Sequence, residues 1–313
     1  MEKELVAFAK RTRKKFPPAD RVRKPGLKAR LSKLSGIRLV LFDLYGTAFI
    51  ANQHSESEYF QKLALKGFRE TARQFNLVKC LEKIGSGKRY EVLLKEMFYE
   101  EIAKDHERRR AKGAESPDVL SEKIWERVLR KLHKQCGKPL PKNLEMVGLK
   151  CSYMSNWIGE PGMLYNNFLR PVQQLKKKGV ILGIASNAQL YTKIDLDIDL
   201  QGKSRGKIKK WEQLFDPKFS AFSFEAGESK PSKRLFEKIL RNAKKQGIKR
   251  GEIAFAGNDL YKDIAIGKEL GFKTILFAGD QETLRLRKHD PRAKGVRADA
   301  IITDWGQVVK VLS

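Results

Sequence analysis

Four stretches of this 313-residue chain hold side chains that could act together on an anionic group. Asp43 directly follows the apolar run 37–42, and Thr47 lies four residues on. Ser186 and Asn187 directly follow the run 180–185, and Lys230 comes shortly after the run 219–224. Asn258 and Asp259 follow the run 253–256, with Asp263 beyond them. The set comprises a carboxylate, hydroxyls, an ammonium and further oxygen donors. Transfer of a phosphoryl group calls for such a set: a nucleophile, hydrogen-bond donors, a cation and an oxygen-lined metal site.

These residues can converge only if the apolar runs are neighbouring strands. Each run is short and rich in β-formers, as a buried strand should be. Further runs lie at 273–277 and, more weakly, at 299–302. Helical patterns separate them at 164–178, 232–246 and 262–270, and Gly179, Gly247 and Gly271 stand where helices prefer to stop. Alternating strand and helix predicts an α/β fold, a Rossmann-like doubly wound parallel sheet covered on both faces. Ligands of such sheets bind at the carboxyl ends of strands, near the point where strand order reverses. All four stretches lie at or just beyond such ends.

Residues 51–169 interrupt the alternation and read as amphipathic helices at 58–75, 90–112 and 117–133. In the last of these Leu120, Ile124, Val128 and Leu132 recur every four residues. A βα connection normally takes ~2–6 residues, so an insertion of this length predicts a separate all-helical domain over 51–169. The core domain is then 37–50 with 170–313. Residues 1–36 carry twelve basic and three acidic residues, with Pro17, Pro18, Pro25 and Gly26 opposing a continuous helix. They read as a basic N-terminal extension.

Composition narrows the function. Lys and Arg exceed Asp and Glu by 65 to 37, a formal net charge of +28. Such a surface draws in small anionic substrates and binds nucleic acid nonspecifically, yet no RNA-binding signature is present. No run approaches the ~20 apolar residues of a membrane span, and residues 1–6 open no secretory h-region. Cys80, Cys136 and Cys151 are scattered, which excludes a disulfide framework and a Cys-x-x-Cys zinc site. A reducing, cytoplasmic setting is expected. The segment Gly85-Ser-Gly-Lys88 lacks the spacing of a phosphate loop.

Taken together, the motifs resemble the haloacid dehalogenase (HAD) superfamily. Phe42-Asp43-Leu44-Tyr45-Gly46-Thr47 resembles its first motif, Ala185-Ser186-Asn187 its second, Lys230-Pro231 its third and Gly257-Asn258-Asp259-Leu260-Tyr261-Lys262-Asp263 its fourth. An all-helical insertion after the first motif matches the type-1 cap. The resemblance implies a hydrolase with Asp43 as nucleophile, Thr47 completing the loop, Ser186 and Asn187 at the transferred oxygens, and Lys230 neutralising charge. It implies Mg²⁺ held by Asp43, Asn258, Asp263 and the carbonyl of Tyr45, with Asp259 available if its loop turns inward, and a cap that selects the substrate. Two positions depart from the phosphatase pattern: Tyr45 stands where a second Asp protonates the leaving oxygen, and Asn258 stands where a metal-binding Asp is usual. The resemblance therefore implies first a Mg²⁺-dependent phosphatase of a small phosphomonoester. The alternatives are a metal-independent 2-haloacid dehalogenase, whose branch also carries Tyr in the first motif, and a HAD-fold protein of little turnover that binds nucleic acid. Lys262 stands where the dehalogenase branch has an aromatic residue.

Overall fold

The computed structural model describes residues 2–18, 22–24, 26–51, 58–85 and 87–312. Pro25 and Ser86 lie outside the described residues. The chain divides into two compact units, one of Met1–Ala19 with Ser55–Pro161, the other of Asp20–His54 with Gly162–Ser313.

The second unit is built on a sheet. Its strands are β1 (Leu39–Phe42), β2 (Phe49–Ala51), β3 (Gly162–Leu164), β4 (Ile181–Ser186), β5 (Ala221–Phe222), β6 (Ile253–Gly257), β7 (Lys273–Phe277) and β8 (Ala300–Ile302). Six of them form one sheet in the order β5-β4-β1-β6-β7-β8, every pair parallel. This is the predicted doubly wound α/β architecture. All four residues of β1 are fully buried. Val40 and Phe42 enter the core on one face of the sheet, Leu39 and Leu41 the core on the other. That two-sided burial explains why β1 reads as a continuous apolar run rather than an alternating one. Strand order reverses at β1: β4 lies on one side and β6 on the other, with Phe42 level with Ile184 and Ala256.

Two short strands were not visible as sequence patterns. β2 and β3 pair antiparallel, Phe49 opposite Leu164 and Ala51 opposite Gly162. They carry the chain out to the helical insertion and back, so the sheet-bearing unit resumes at Gly162 rather than at residue 170. The expected strand at 219–224 is shortened to Ala221–Phe222. Ser223 then starts a helical turn, and its hydroxyl accepts from Ala188 N (2.9 Å).

The first unit is helical: α1 (Glu2–Lys15), α2 (Glu58–Gln74), α3 (Val78–Ile84), α4 (Tyr90–Arg110), α5 (Ser121–Cys136) and α6 (Leu144–Gly159). The Ile124–Val128–Leu132 stripe of α5 is fully buried, with Trp125 and Leu129. Lys88, in the rejected phosphate-loop look-alike, pairs with Glu96 at 2.7 Å on the exposed surface. A buried acid pins the start of α4. Glu91 accepts from Arg69 (2.8 Å) and from Arg89 Nε (3.0 Å). Burial alone would raise its pKa, but the two guanidinium groups outweigh burial and hold it at about 2. A lowered folded pKa adds stability above the unfolded pKa of ~4.3, lost as pH falls through the folded value. Glu91→Gln should therefore destabilise this unit at pH 7 by about 1.5–3 kcal/mol, the range for hydrogen bonds to charged groups. The difference from wild type in thermal melts should shrink toward pH 2.

The basic N-terminal segment divides between the two units. In α1, Leu5, Phe8, Ala9 and Thr12 are buried. Phe8 meets Tyr153 edge-on at 6.4 Å, and Trp157 Nε1 donates to Phe16 O at 2.9 Å. Further on, Arg30 and Ile301 exchange backbone hydrogen bonds of 2.9 Å, and Leu34 N donates to Val311 O at 2.8 Å. The Arg30–Ile301 contact covers the open edge of β8, which would otherwise offer unpaired backbone groups. A division at residue 36 therefore differs from the one observed: residues 1–19 join the helices and the residues after them join the sheet. Among the described residues, no helix is long and apolar enough to cross a membrane.

Candidate active site

Asp43 is the first residue beyond β1, held in register by Asp43 N donating to Ala256 O (2.9 Å). It is buried, and three donors converge on its carboxylate. Oδ1 accepts from Ser186 Oγ (3.0 Å) and from Lys230 Nζ (2.6 Å), and Oδ2 accepts from Thr47 Oγ1 (3.0 Å). Ser186 ends β4, so two adjacent strand ends meet at one carboxylate, as the topology requires. The Lys230 ammonium continues to Asp263 Oδ1 at 2.7 Å. Asp43 and Asp263 thus face one another across one buried cation.

The loop after Asp43 has a geometry that its sequence dictates. Gly46 sits at φ +77°, and a Cβ there would lie 2.3 Å from Asn258 Nδ2. Only glycine combines that conformation with that approach. The amide of Asn258 is oriented by Nδ2 donating to Thr283 O, which leaves Oδ1 facing Thr47 Oγ1 at 3.2 Å. Gly257 has the matching role on β6: a Cβ there would lie 2.3 Å from Asp263 Cγ. Its bareness lets the Asp263 carboxylate press against the strand end, where Oδ2 accepts from Asp259 N at 3.0 Å.

Electrostatics follow from burial in a small group of charges. Burial raises the pKa of Asp263 to about 7, the charges of Asp43 and Asp259 pushing the same way and Lys230 opposing. Burial works against the Lys230 ammonium, but the charges of Asp263 and Asp43 outweigh it and raise its pKa. Lys230 is therefore a cation at neutral pH, and the proton that titrates belongs to the carboxyl side of the triad.

Three of the expected site residues are placed otherwise. Asn187 does not reach Asp43 directly; Lys230 N donates to its Oδ1 (2.7 Å) and its Nδ2 donates to Lys230 O (3.3 Å). It clips the lysine's backbone in place and acts as a positioning residue. The Tyr45 hydroxyl shares a 2.9 Å hydrogen bond with Thr192 Oγ1 on α8 (Leu190–Lys203, which follows α7, Leu169–Lys177). Asp259 is committed to structure: Oδ1 accepts from Tyr261 N (2.9 Å) and Lys262 N (3.0 Å), and Arg287 Nε lies 2.9 and 3.0 Å from its two oxygens. It caps the π-helical turn Leu260–Ala265 that carries Asp263. The Arg287 partner and the Thr283 carbonyl come from the loop after β7.

The oxygen donors around Asp43 bear on whether a divalent cation could be held there. Among the described residues no three His, Cys, Asp or Glu side chains cluster as a metal site, and Asp259 is paired with Arg287. Nevertheless Asp43 Oδ2 and Asn258 Oδ1 both face the single hydroxyl of Thr47, at 3.0 and 3.2 Å. One hydroxyl proton cannot satisfy both acceptors. These two hard oxygens fit the chemistry of Mg²⁺, which prefers oxygen ligands.

No family model matches the chain. A glyceraldehyde 3-phosphate phosphatase from Pyrococcus furiosus is 27% identical over 205 residues, which is 59% of this chain and 74% of the phosphatase. The structure of a 2-haloacid dehalogenase from Pseudomonas syringae pv. Tomato DC3000 superposes with a TM-score of 0.55 at 15% identity, covering 88% of this chain and 97% of that one. A predicted phosphoglycolate phosphatase from Haemophilus somnus 129pt covers 89% of this chain and 99% of its own at 18% identity, with a TM-score of 0.46. The chain thus shares its fold with a 2-haloacid dehalogenase and is similar in sequence to a phosphatase.

Proposed function

We propose that this protein is a phosphatase of small phosphomonoesters that works through Asp43. One observation carries the reading: a buried ammonium, Lys230, spans the carboxylates of Asp43 and Asp263 at 2.6 and 2.7 Å. The cation offsets the repulsion between such a carboxylate and an approaching anionic phosphoryl group. The similarity to a phosphatase of a three-carbon phosphate ester agrees with this.

In the proposed reaction a carboxylate oxygen of Asp43 attacks phosphorus, the P–O bond to the alcohol breaks, and an aspartyl phosphate forms. Ser186 and Thr47, now bonded to Asp43, are within reach to donate to the transferring oxygens, and Lys230 neutralises their charge. Water then attacks phosphorus and releases phosphate, which regenerates the Asp43 carboxylate. Mg²⁺ held by Asp43, Asn258 and the Tyr45 carbonyl would withdraw charge from the phosphoryl group. The Tyr45 hydroxyl is bonded to Thr192, and a phenol is a far weaker acid than a carboxyl group, so it is a poor acid for the leaving oxygen. Esters of acidic alcohols should therefore react fastest.

The test is a substrate screen with and without Mg²⁺. Phosphate release should be faster from aryl than from alkyl phosphates. EDTA should abolish it and added Mg²⁺ should restore it. Release that is indifferent to EDTA would remove the metal from the account. A second reading, hydrolysis of a carbon–halogen bond, is favoured by the neutral amide of Asn258 and by the commitment of Asp259 to Arg287. Halide release from 2-haloacids in EDTA would establish it in place of the first.

A further inference from the structure

The stretch beyond β7 pairs with the segment that follows β6. Arg285 N donates to Asn258 O (3.0 Å) and Leu260 N donates to Arg285 O (2.9 Å), a short parallel bridge. Thr283 O takes the Asn258 amide on one side of this bridge, and Arg287 takes Asp259 on the other. The Arg287 guanidinium grips both carboxylate oxygens, with Nε at 2.9 and 3.0 Å and Nη2 at 2.5 Å from Oδ2. It does so from φ +48°, a left-handed conformation that is costly for a residue with a Cβ. Such strain persists where the surroundings over-determine it, and it collects at functional sites. What the grip holds is the π-helical turn Leu260–Ala265. Asp259 caps that turn through Tyr261 N and Lys262 N, and Asp259 N donates to Asp263 Oδ2. Asp263 Oδ1 takes Lys230 Nζ, whose other partner is Asp43 Oδ1. A continuous line of charge-assisted hydrogen bonds therefore runs from Arg287 to the Asp43 carboxylate.

We propose that Arg287 is a positioning residue: its grip on Asp259 fixes the turn, and with it the place of Asp263 and the Lys230 ammonium against Asp43. Arg287 acts only through Asp259, so its loss falls on the rate of the chemical step more than on substrate affinity. A misplacement of ~1 Å at reacting groups can cost ~10²-fold in rate. The inference rests on the phosphatase reading for its rate measurement but not for its exchange measurement, which reports on the turn itself. Arg292 supplies a control of equal charge on the same turn. Its guanidinium lies 4.2 Å from the Tyr261 ring centre, but it is exposed and paired with Asp290.

The test is Arg287→Gly in the full-length chain, which removes the grip and relieves the backbone, because glycine adopts a positive φ freely. With Mg²⁺ and an aryl phosphate, kcat should fall about tenfold to a hundredfold while KM stays within about threefold of wild type. Amide exchange of the peptide 258–265 should quicken about tenfold while β1 and β4 keep their protection, a local change that general loosening of the fold would not produce. Millimolar methylguanidinium, which supplies the same planar fork, should bring kcat back to within about threefold of wild type and slow the exchange again. Arg292→Gln should change neither reading. Should Arg287→Gly not fold, Arg287→Lys carries the test: it keeps the charge without the fork, and its kcat should still fall about threefold or more. Wild-type kcat and exchange in the folded Arg287 variant would overturn the positioning role. So would equal changes in Arg292→Gln, or a loss in Arg287→Gly that methylguanidinium leaves untouched. If no phosphomonoester is turned over, yet exchange of 258–265 quickens in Arg287→Gly alone and methylguanidinium slows it, the proposed reaction fails and the positioning of the turn stands.

Discussion

Replacing Asp43 by Asn should abolish phosphate release while leaving the protein folded. Removal of a covalent nucleophile acts on the scale of ~10⁵–10⁶ in kcat. The Asn side chain has nearly the shape of Asp and still offers one oxygen to the donors around it. Lys230 keeps Asp263 as its counter-charge at 2.7 Å, so no cation is stranded. The thermal midpoint should thus change little and turnover should vanish, and that combination distinguishes loss of chemistry from loss of fold. An Asp43→Asn protein that releases phosphate at more than a hundredth of the wild-type rate would show that attack comes from elsewhere.

Lys230→Met should have the largest effect on stability. It leaves two carboxylates facing each other in a buried site, with side-chain exposures of 7% and 2%. Breaking a buried ion pair by removing one partner costs about 3–5 kcal/mol. The sign of the pH dependence follows from linkage. Without the ammonium, which opposes the rise, Asp263 holds its proton more tightly folded than in the unfolded chain, where an aspartate titrates near ~4. A raised folded pKa makes stability fall as pH rises from the unfolded value through the folded one. Burial already raises Asp263 to about 7 with the lysine present, so the deficit of Lys230→Met should be greatest near pH 8 and smaller at pH 5. Adding Asp263→Asn to Lys230→Met removes one of the stranded charges and should recover part of the loss. A deficit independent of pH, with no recovery in the double variant, would mean that packing against Phe255 matters more than charge.

The parts of this site that could be read from the sequence are those fixed by strand ends. Asp43, Ser186 and Asp263 follow buried strands, and a parallel sheet that reverses at β1 leaves them nowhere else to meet. What could not be read is partnership across the chain. Asp259 and Asp263 are both carboxylates on one turn, and only Arg287, 28 residues away, sends the first to a structural role. Asn187 looked like a ligand of the transferred oxygens because it neighbours Ser186, yet backbone geometry gives it the Lys230 peptide. The Gly46 φ of +77° was foreshadowed by glycine itself, whereas the approach of Asn258 that excludes a side chain there was not.

The same distinction holds for the fold. The stripe that recurs every four residues along α5 predicts a buried helix face because the pattern is long enough to count. The three-residue strands β2 and β3 are too short to show a period, so the return to the sheet at Gly162 was hidden within a helical reading. In α1 the signal was present: Leu5, Phe8, Ala9 and Thr12 are spaced to line one face. Its surrounding lysines and arginines masked it, because charge on the exposed face says nothing about what the other face buries.

The central claim is that phosphoryl transfer passes through the carboxylate of Asp43. The direct measurement is a single-turnover reaction with a substrate labelled in its phosphoryl group, quenched in acid at the time of maximal burst. The account predicts label covalently attached to the peptide that contains Asp43, absent in Asp43→Asn. Release of labelled phosphate during the burst with no label on that peptide at any quench time would contradict it.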